Sequence, residues 1–140
     1  MYDRIYTIGC FDQFHQGHIK LINNMKKYGK EIIVGIHDDN SIEKLKNLNP
    51  LHHDSLETRI NNLKEYVDRI FIVSGTDPTL FLKAIIGKND NGTNSCYIRA
   101  DDMPNFPGRK FIEEKGINIK LIPYTQGVSA TMLRKQKFNC

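Results

Sequence analysis

No stretch of 18 apolar residues occurs in this chain, so nothing in it reads as a membrane-spanning helix. Cysteine is scarce. Cys10, Cys96 and Cys140 are odd in number and far apart, which argues against a disulfide framework and for a reducing compartment. The opening Met-Tyr-Asp-Arg lacks the basic-then-apolar order of a signal peptide, and a cytoplasmic location is the expectation. Charge of either sign is not in large excess. A net +4 suits small anionic ligands but is too weak and too scattered for a nucleic-acid surface. Zinc-site patterns are missing too: no H-E-x-x-H occurs, and no cysteine pair lies near the histidines at 15 and 18. Internal repeats are absent. With 140 residues there is room for one domain around a single core, so residues 1–140 are expected to form one unit.

What is present alternates between strand and helix patterns. Apolar runs at 4–10, 31–37, 69–73, 96–99 and 119–122 predict strands. A helical pattern over 17–28 ends at Gly29, which reads as a C′ glycine. Residues 41–53 are ambiguous: Ser41 could cap a short helix, while Pro50 and His52-His53 favour a loop. Asp54 or Ser55 caps the next helix, with Glu57 three residues beyond Asp54. Asp77-Pro78 predicts a helix start with proline in first position. The polar stretch 87–95 reads as a surface loop, a helix is expected near 108–115, and Ser129 caps a last helix. Strands separated by helices of this length predict an α/β fold. It would be a Rossmann-like, doubly wound parallel sheet of about five strands with helices on both faces.

The most informative segment is G-C-F-D-Q-F-H-Q-G-H at residues 9–18. It follows the first strand and opens the first helix. A helix amino terminus presents free N–H groups and a partial positive charge to phosphate. Gly17 permits close approach, and His15 and His18 can each donate a hydrogen bond to a phosphoryl oxygen. His18 could instead cap or pack against the first turn. The segment lies where α/β sheets present their ligand crevice.

This segment resembles the G-x-F-D-x-x-H-x-G-H signature of the cytidylyltransferase family. Tyr66-Val67-Asp68 followed by Ile70 is similar to that family's Y-V-D-x-V/I element, and T-Q-G-V-S-A-T at 125–131 is similar to its T-E-G-I-S-T-T signature. Length and layout most resemble the small glycerol-3-phosphate cytidylyltransferase type. The choline-phosphate and ethanolamine-phosphate enzymes share the motifs.

The resemblance implies CMP transfer from CTP, with Mg2+, to a small phospho-alcohol, first of all glycerol 3-phosphate, with release of pyrophosphate. It also implies a homodimer, and neither nucleic acid nor an integral membrane segment. His15 and His18 would stabilise the crowded phosphorus and the leaving pyrophosphate. Gly9, Cys10, Phe11 and Gly17 would hold the nucleotide over the strand end. Asp101 and Asp102 resemble the family's carboxylate pair near the base, although they could simply begin a loop. Thr125, Gly127, Ser129, Thr131 and Arg134 would bind β- and γ-phosphates, although Ser129 could be an ordinary cap. Lys46, with Lys44 as the other choice, falls where the family has a phosphate-binding lysine. Arg59 matches an arginine expected on the substrate phosphate. Asp12 would orient a loop or lie near the metal-bound phosphates, and Asp68 would contact substrate or cap a helix. No metal ligand is assigned. His37, His52 and His53 carry no pattern and read as surface or substrate-loop residues.

Three positions depart from the family: Tyr124 and Glu65 stand where arginine is usual, and Gln126 replaces glutamate. Each cationic phosphate contact is worth roughly 1.5–3 kcal/mol, so Arg99, Arg109 or Arg134 would have to compensate. S-A-T-M-L-R at 129–134 also resembles the S-x-T-x-x-R motif of the wider superfamily, adenylyltransferases included. An ATP-using adenylyltransferase acting on a phosphorylated cofactor precursor is therefore an alternative. A catalytically silent nucleotide-binding module is another.

Overall fold

The computed structural model describes residues 1–49, 52–86, 94–100 and 106–122. Its elements run β1 (Tyr2–Gly9), α1 (Gln16–Tyr28), β2 (Gly29–His37), α2 (Asp39–Lys46) and α3 (Leu56–Leu63). They continue with β3 (Arg69–Val73), α4 (Thr79–Ile86), β4 (Ser95–Ala100), α5 (Arg109–Glu114) and β5 (Asn118–Ile122). The strands form one parallel sheet in the order β3-β2-β1-β4-β5. This is the expected Rossmann-like α/β arrangement. Connections from β1 lead outward through β2 to β3, then the chain crosses to β4 on the other side of β1. The reversal leaves a crevice beyond the carboxyl ends of β1 and β4.

Strict alternation along the strands supplies two cores. Ile5, Ile32, Val34, Ile36, Cys96 and Ile98 face Ile22 and Met25 of α1 and Leu63 of α3. Tyr6, Ile8, Ile33 and Tyr97 face Leu82 and Ile86 of α4 and Ile112 of α5. Successive strand residues point to opposite faces, so a run such as Ile32-Ile33-Val34 is apolar throughout because both faces are covered.

Several local expectations change. Gly29 is not a left-handed C′ residue: its backbone is extended (φ −153°, ψ 164°) and it begins β2 directly. Glycine is required there because a Cβ would run into Ile5 Cγ1. Residues 39–46 are helical, and the cap is Asp38, not Ser41. Asp38 Oδ1 accepts from Ser41 N at 2.9 Å and from Ser41 Oγ at 2.6 Å. Ser55 is the cap of α3, accepting from Thr58 N. Helix α4 begins one residue after Pro78, with Asp77 Oδ1 accepting from Thr79 N at 3.0 Å. Of the loop expected at 87–95, residues 87–93 lie outside the described residues and Ser95 opens β4; the helix expected from Ser129 also lies outside them.

Candidate functional site

The chain leaves β1 through a turn with two non-glycine residues in the left-handed region, Phe11 (φ 51°) and Gln13 (φ 50°). Such conformations cost on the order of 1–2 kcal/mol each and persist only where surrounding contacts enforce them. Those contacts are present. Phe11 is buried in the core under the sheet. Asp12, only 2% exposed, accepts at Oδ1 from Gln13 N (3.0 Å) and from Asp54 N (2.8 Å). Asp54 Oδ2 accepts from Gln13 N at 3.3 Å. Of the two roles considered for Asp12, this geometry is that of loop orientation: the carboxylate ties the turn to the segment before α3.

The turn delivers two histidines in reciprocal hydrogen bonds. His15 is the N-cap of α1, and its Nδ1 accepts from Gly17 N at 3.0 Å. His18 Nδ1 in turn accepts from His15 N at 3.2 Å. A ring nitrogen that accepts from a backbone N–H carries no proton, so the neutral tautomer of each ring holds its hydrogen on Nε2. Each histidine therefore keeps an N–H donor at Nε2 while its other nitrogen caps the helix. The rings stack at 3.9 Å and 22°. Phe14 stacks on His18 at 5.4 Å, and Phe11 meets it at 5.3 Å. Burial lowers the pKa of His15. His18 is pushed down to about 3 by burial first, then by His15 and by the Lys46 ammonium. Near neutral pH both rings are uncharged donors.

A cavity of about 210 Å³ opens beside this turn at the carboxyl ends of the strands. Gly9 and Cys10 of the turn, His37 at the end of β2, Arg99 of β4 and Lys46 at the end of α2 line it. His15 and His18 do not line it; they lie across the same turn, and Lys46 acts electrostatically on His18. Lys44 is exposed and does not line the cavity. The Arg99 guanidinium lies over the Phe106 ring at 5.0 Å, and Phe106 stacks on Tyr97 at 4.9 Å and 11°. His37 is 7% exposed, and its Nδ1 has no hydrogen-bond partner among the described residues. Its pKa is lowered by burial, with Arg59 and Arg99 adding to the effect against a hydrogen bond to the Gly75 backbone and the Asp38 charge.

Arg59 occupies a different place from the one expected. It is fully buried, and its nitrogens donate to Asp54 O (3.0 Å), Cys10 O (3.0 Å), His37 O (2.6 Å) and Asp39 Oδ1 (2.9 Å). Its guanidinium holds the carboxyl ends of β1 and β2 together, so the direct substrate-phosphate contact gives way to a positioning role. Asp68 is also displaced. Its Oδ2 accepts from Ile32 N at 2.8 Å, near the amino end of β2. His37, which borders the cavity, is five residues further along that strand, on the order of 16 Å away. Asp68 joins β2 to the start of β3 and is remote from the crevice. Glu65 is exposed in the turn leading into β3, beside Tyr66, whose ring meets Phe14 at 5.3 Å.

Of the three histidines expected at the surface or in a substrate loop, His52 is exposed and His53 does lie in a loop, but His37 is buried in β2 and the His53 side chain is only 3% exposed, between Glu43 and the Asp54 carbonyl. The sequence signal was their company, Asp38-Asp39 after one and Asp54 after the other. Asp101, Asp102, Thr125, Gly127, Ser129, Thr131 and Arg134 lie outside the described residues, as do Tyr124 and Gln126. Among the described residues no group of three His, Cys, Asp or Glu side chains is placed to hold a metal ion. No helix among them is long and apolar enough to cross a membrane.

A parallel α/β sheet with a histidine-capped helix start at its switch point defines a Rossmann-like class of domain. The profile of the family described as Cytidylyltransferase-like matches residues 6–136, and the chain belongs to that family of HxGH nucleotidyltransferases. Among curated relatives, the Bifunctional protein HldE of Desulfatibacillum aliphaticivorans is 30% identical over 130 residues, covering 92% of this chain and 26% of the relative. The same-named protein of Hyphomonas neptunium is 28% identical over 129 residues, covering 91% and 26%. The chain thus spans about a quarter of the length of these relatives. The fold is shared with a lipopolysaccharide core biosynthesis protein from Thermoplasma volcanium (TM-score 0.64, 21% identity, 89% of this chain and 98% of that one). It is shared also with a bifunctional NMN adenylyltransferase/ADP ribose pyrophosphatase from Francisella tularensis, solved with AMP and a manganese ion (TM-score 0.69, 18% identity, 99% and 42%).

Proposed function

We propose that this chain transfers a nucleoside monophosphate from a nucleoside triphosphate to the phosphate of a small acceptor, with ATP as the donor. An acceptor oxygen attacks the α-phosphorus in line, the bond to the bridging β-phosphate oxygen breaks, and pyrophosphate leaves. No protein nucleophile is needed; positioning and stabilisation of oxygen charge carry such reactions. The pair of neutral, mutually capped histidines carries the reading, because it leaves two Nε2–H donors beside a helix amino terminus. Lys46 and Arg99 would hold the acceptor phosphate in the cavity, and His37 would meet the acceptor's polar remainder. Mg2+ carried on the triphosphate would neutralise its charge; the described side chains do not fit a resident metal.

ATP is favoured over CTP by the S-x-T-x-x-R motif at 129–134, by Tyr124 and Gln126 in place of the cytidylyltransferase residues, and by the adenylyl chemistry in the name of the Francisella neighbour. CMP transfer to glycerol 3-phosphate or another phospho-alcohol is the second reading, favoured by the G-x-F-D-x-x-H-x-G-H signature and the family description. Pyrophosphate release with each of the four triphosphates, against phospho-alcohols, sugar phosphates and phosphorylated cofactor precursors, separates the two. Turnover with ATP alone supports the first reading and turnover with CTP the second. Nucleotide binding without turnover across the panel overturns both in favour of a silent module.

A further inference from the structure

Helix α2 carries Lys46 in its last turn, and two side chains from outside α2 span from it to the segment behind the histidine turn: Arg59, which reaches Asp39 at the start of α2, and His53, which reaches Glu43 one turn before Lys46. His53 Nε2 lies 2.7 Å from Glu43 Oε2 of α2, and His53 Nδ1 lies 2.7 Å from the Asp54 carbonyl oxygen. Asp39 Oδ1, also on α2, is 3.8 Å from Nδ1. A carboxylate and a carbonyl can only accept hydrogen bonds. Both ring nitrogens must therefore carry protons, which makes the ring an imidazolium. A neutral ring has a single N–H and must give up one of the two contacts.

Asp54 is the node through which this ring reaches the turn. Its backbone N–H donates to Asp12, its carboxylate accepts from Gln13 N, and its carbonyl accepts from Arg59 Nε as well as from His53. Glu43 stands three residues before Lys46, on the same side of α2. From these contacts we infer that His53 is a positioning residue: its imidazolium clamps α2, and with it Lys46, to the turn that presents His15 and His18.

The charged groups around the ring are Glu43 and Asp39 of α2, Asp54 beside it, and Arg59 of α3, which is itself paired with Asp39. Burial alone would lower the pKa of His53. The Asp54 carbonyl, the Glu43 carboxylate and Asp39 outweigh it, and the net shift is upward. The clamp is closed below the ordinary histidine range and opens as pH rises through the raised value.

The effect on catalysis rests on the nucleotidyl-transfer reading, whereas the clamp itself does not, so two measurements are paired. In the full chain, NMR titration of the ring nitrogens should show both protonated below pH ~6.5 and a midpoint above it. Amide exchange of residues 42–46, corrected for intrinsic rate, should quicken about tenfold in His53→Gln and likewise in the parent chain above that midpoint. With an active triphosphate, His53→Gln should raise KM about tenfold at pH 6.5 while kcat changes by less than about twofold. The alkaline rise in KM should vanish in His53→Gln, and His53→Lys, which keeps a cation, should restore part of the affinity. A midpoint below 6.5, α2 exchange unmoved above the midpoint, or KM unmoved in an active His53→Gln enzyme overturns the inference. If the ring titrates and α2 loosens as expected but no triphosphate yields pyrophosphate, the clamp stands and the proposed reaction falls.

Discussion

Replacing Arg59 by methionine removes the donors that join β1 to β2 while retaining most of the aliphatic volume. Three carbonyls lose a partner, those of Cys10, His37 and Asp54, of which Asp54 keeps its contact with His53. Asp39 also loses its ion pair, but its side chain is 47% exposed and can turn to water. An unsatisfied buried carbonyl costs about 1–3 kcal/mol, and removing one member of a buried charged network typically costs about 3–5 kcal/mol. Some relaxation of the turn toward solvent keeps the total from being the plain sum of the carbonyl penalties. The expected loss is about 3–5 kcal/mol, a large share of the roughly 5–15 kcal/mol that holds a domain folded. For a chain of this size each kcal/mol lowers Tm by on the order of 4 °C. Arg59→Lys should recover less than half of the loss, because one ammonium cannot span carbonyls that a planar guanidinium reaches together. Urea unfolding followed by circular dichroism measures both variants. Two results would refute the reasoning: Arg59→Met within about 1 kcal/mol of the parent, or full stability accompanied by lost turnover, which would mark Arg59 as a substrate contact after all.

The remaining predictions concern the histidines and the lysine. His15→Asn keeps an N-cap acceptor but loses the Nε2 donor, so stability should hold within about 1 kcal/mol while turnover falls roughly a hundredfold or more; equal turnover would remove His15 from the chemistry. His18→Ala should lower turnover comparably, read by pyrophosphate release. Because the folded-state pKa of His18 lies near 3, below the ordinary value near 6.5, its contribution to stability is complete above 6.5. That contribution is lost as pH falls toward 3, with a ceiling on the order of 5 kcal/mol. Urea midpoints should therefore drop between pH 6.5 and 5 in the parent chain and drop less in His18→Asn. His53 has the opposite sign: its raised pKa gives stability that is complete below 6.5 and lost on the alkaline side. Lys46→Ala should raise KM about tenfold, through loss of a charge-assisted phosphate contact, and should raise the His18 pKa by removing a neighbouring cation. An unmoved His18 titration in that variant would place Lys46 elsewhere.

The sequence by itself determined whatever depends on neighbours a few residues apart. Alternating apolar runs such as 31–37 specify strands because side chains on a strand repeat every second residue, and a helix between each pair forces parallel strands. The histidine turn is legible for the same reason. His15, Gly17 and His18 interact at separations of two and three residues, so their spacing alone places a capped helix start after β1. Tertiary structure decided the roles of the isolated charged residues. Arg59 meets Cys10 and His37 across separations of 49 and 22 residues, and no local pattern shows that a lone arginine will be enclosed by carbonyls. Asp68 belongs to the far edge of the sheet because β2 and β3 run parallel, a register that follows from pairing and not from the Tyr66-Val67-Asp68 spelling. Gly29 looked like a helix stop until the packing of Ile5 gave the actual reason for it. His53 read as a surface or substrate-loop residue because it carries no local pattern. Its charge arises only where Glu43 and the Asp54 carbonyl converge on one ring, since buried acceptors must find protons wherever the fold brings a donor to them.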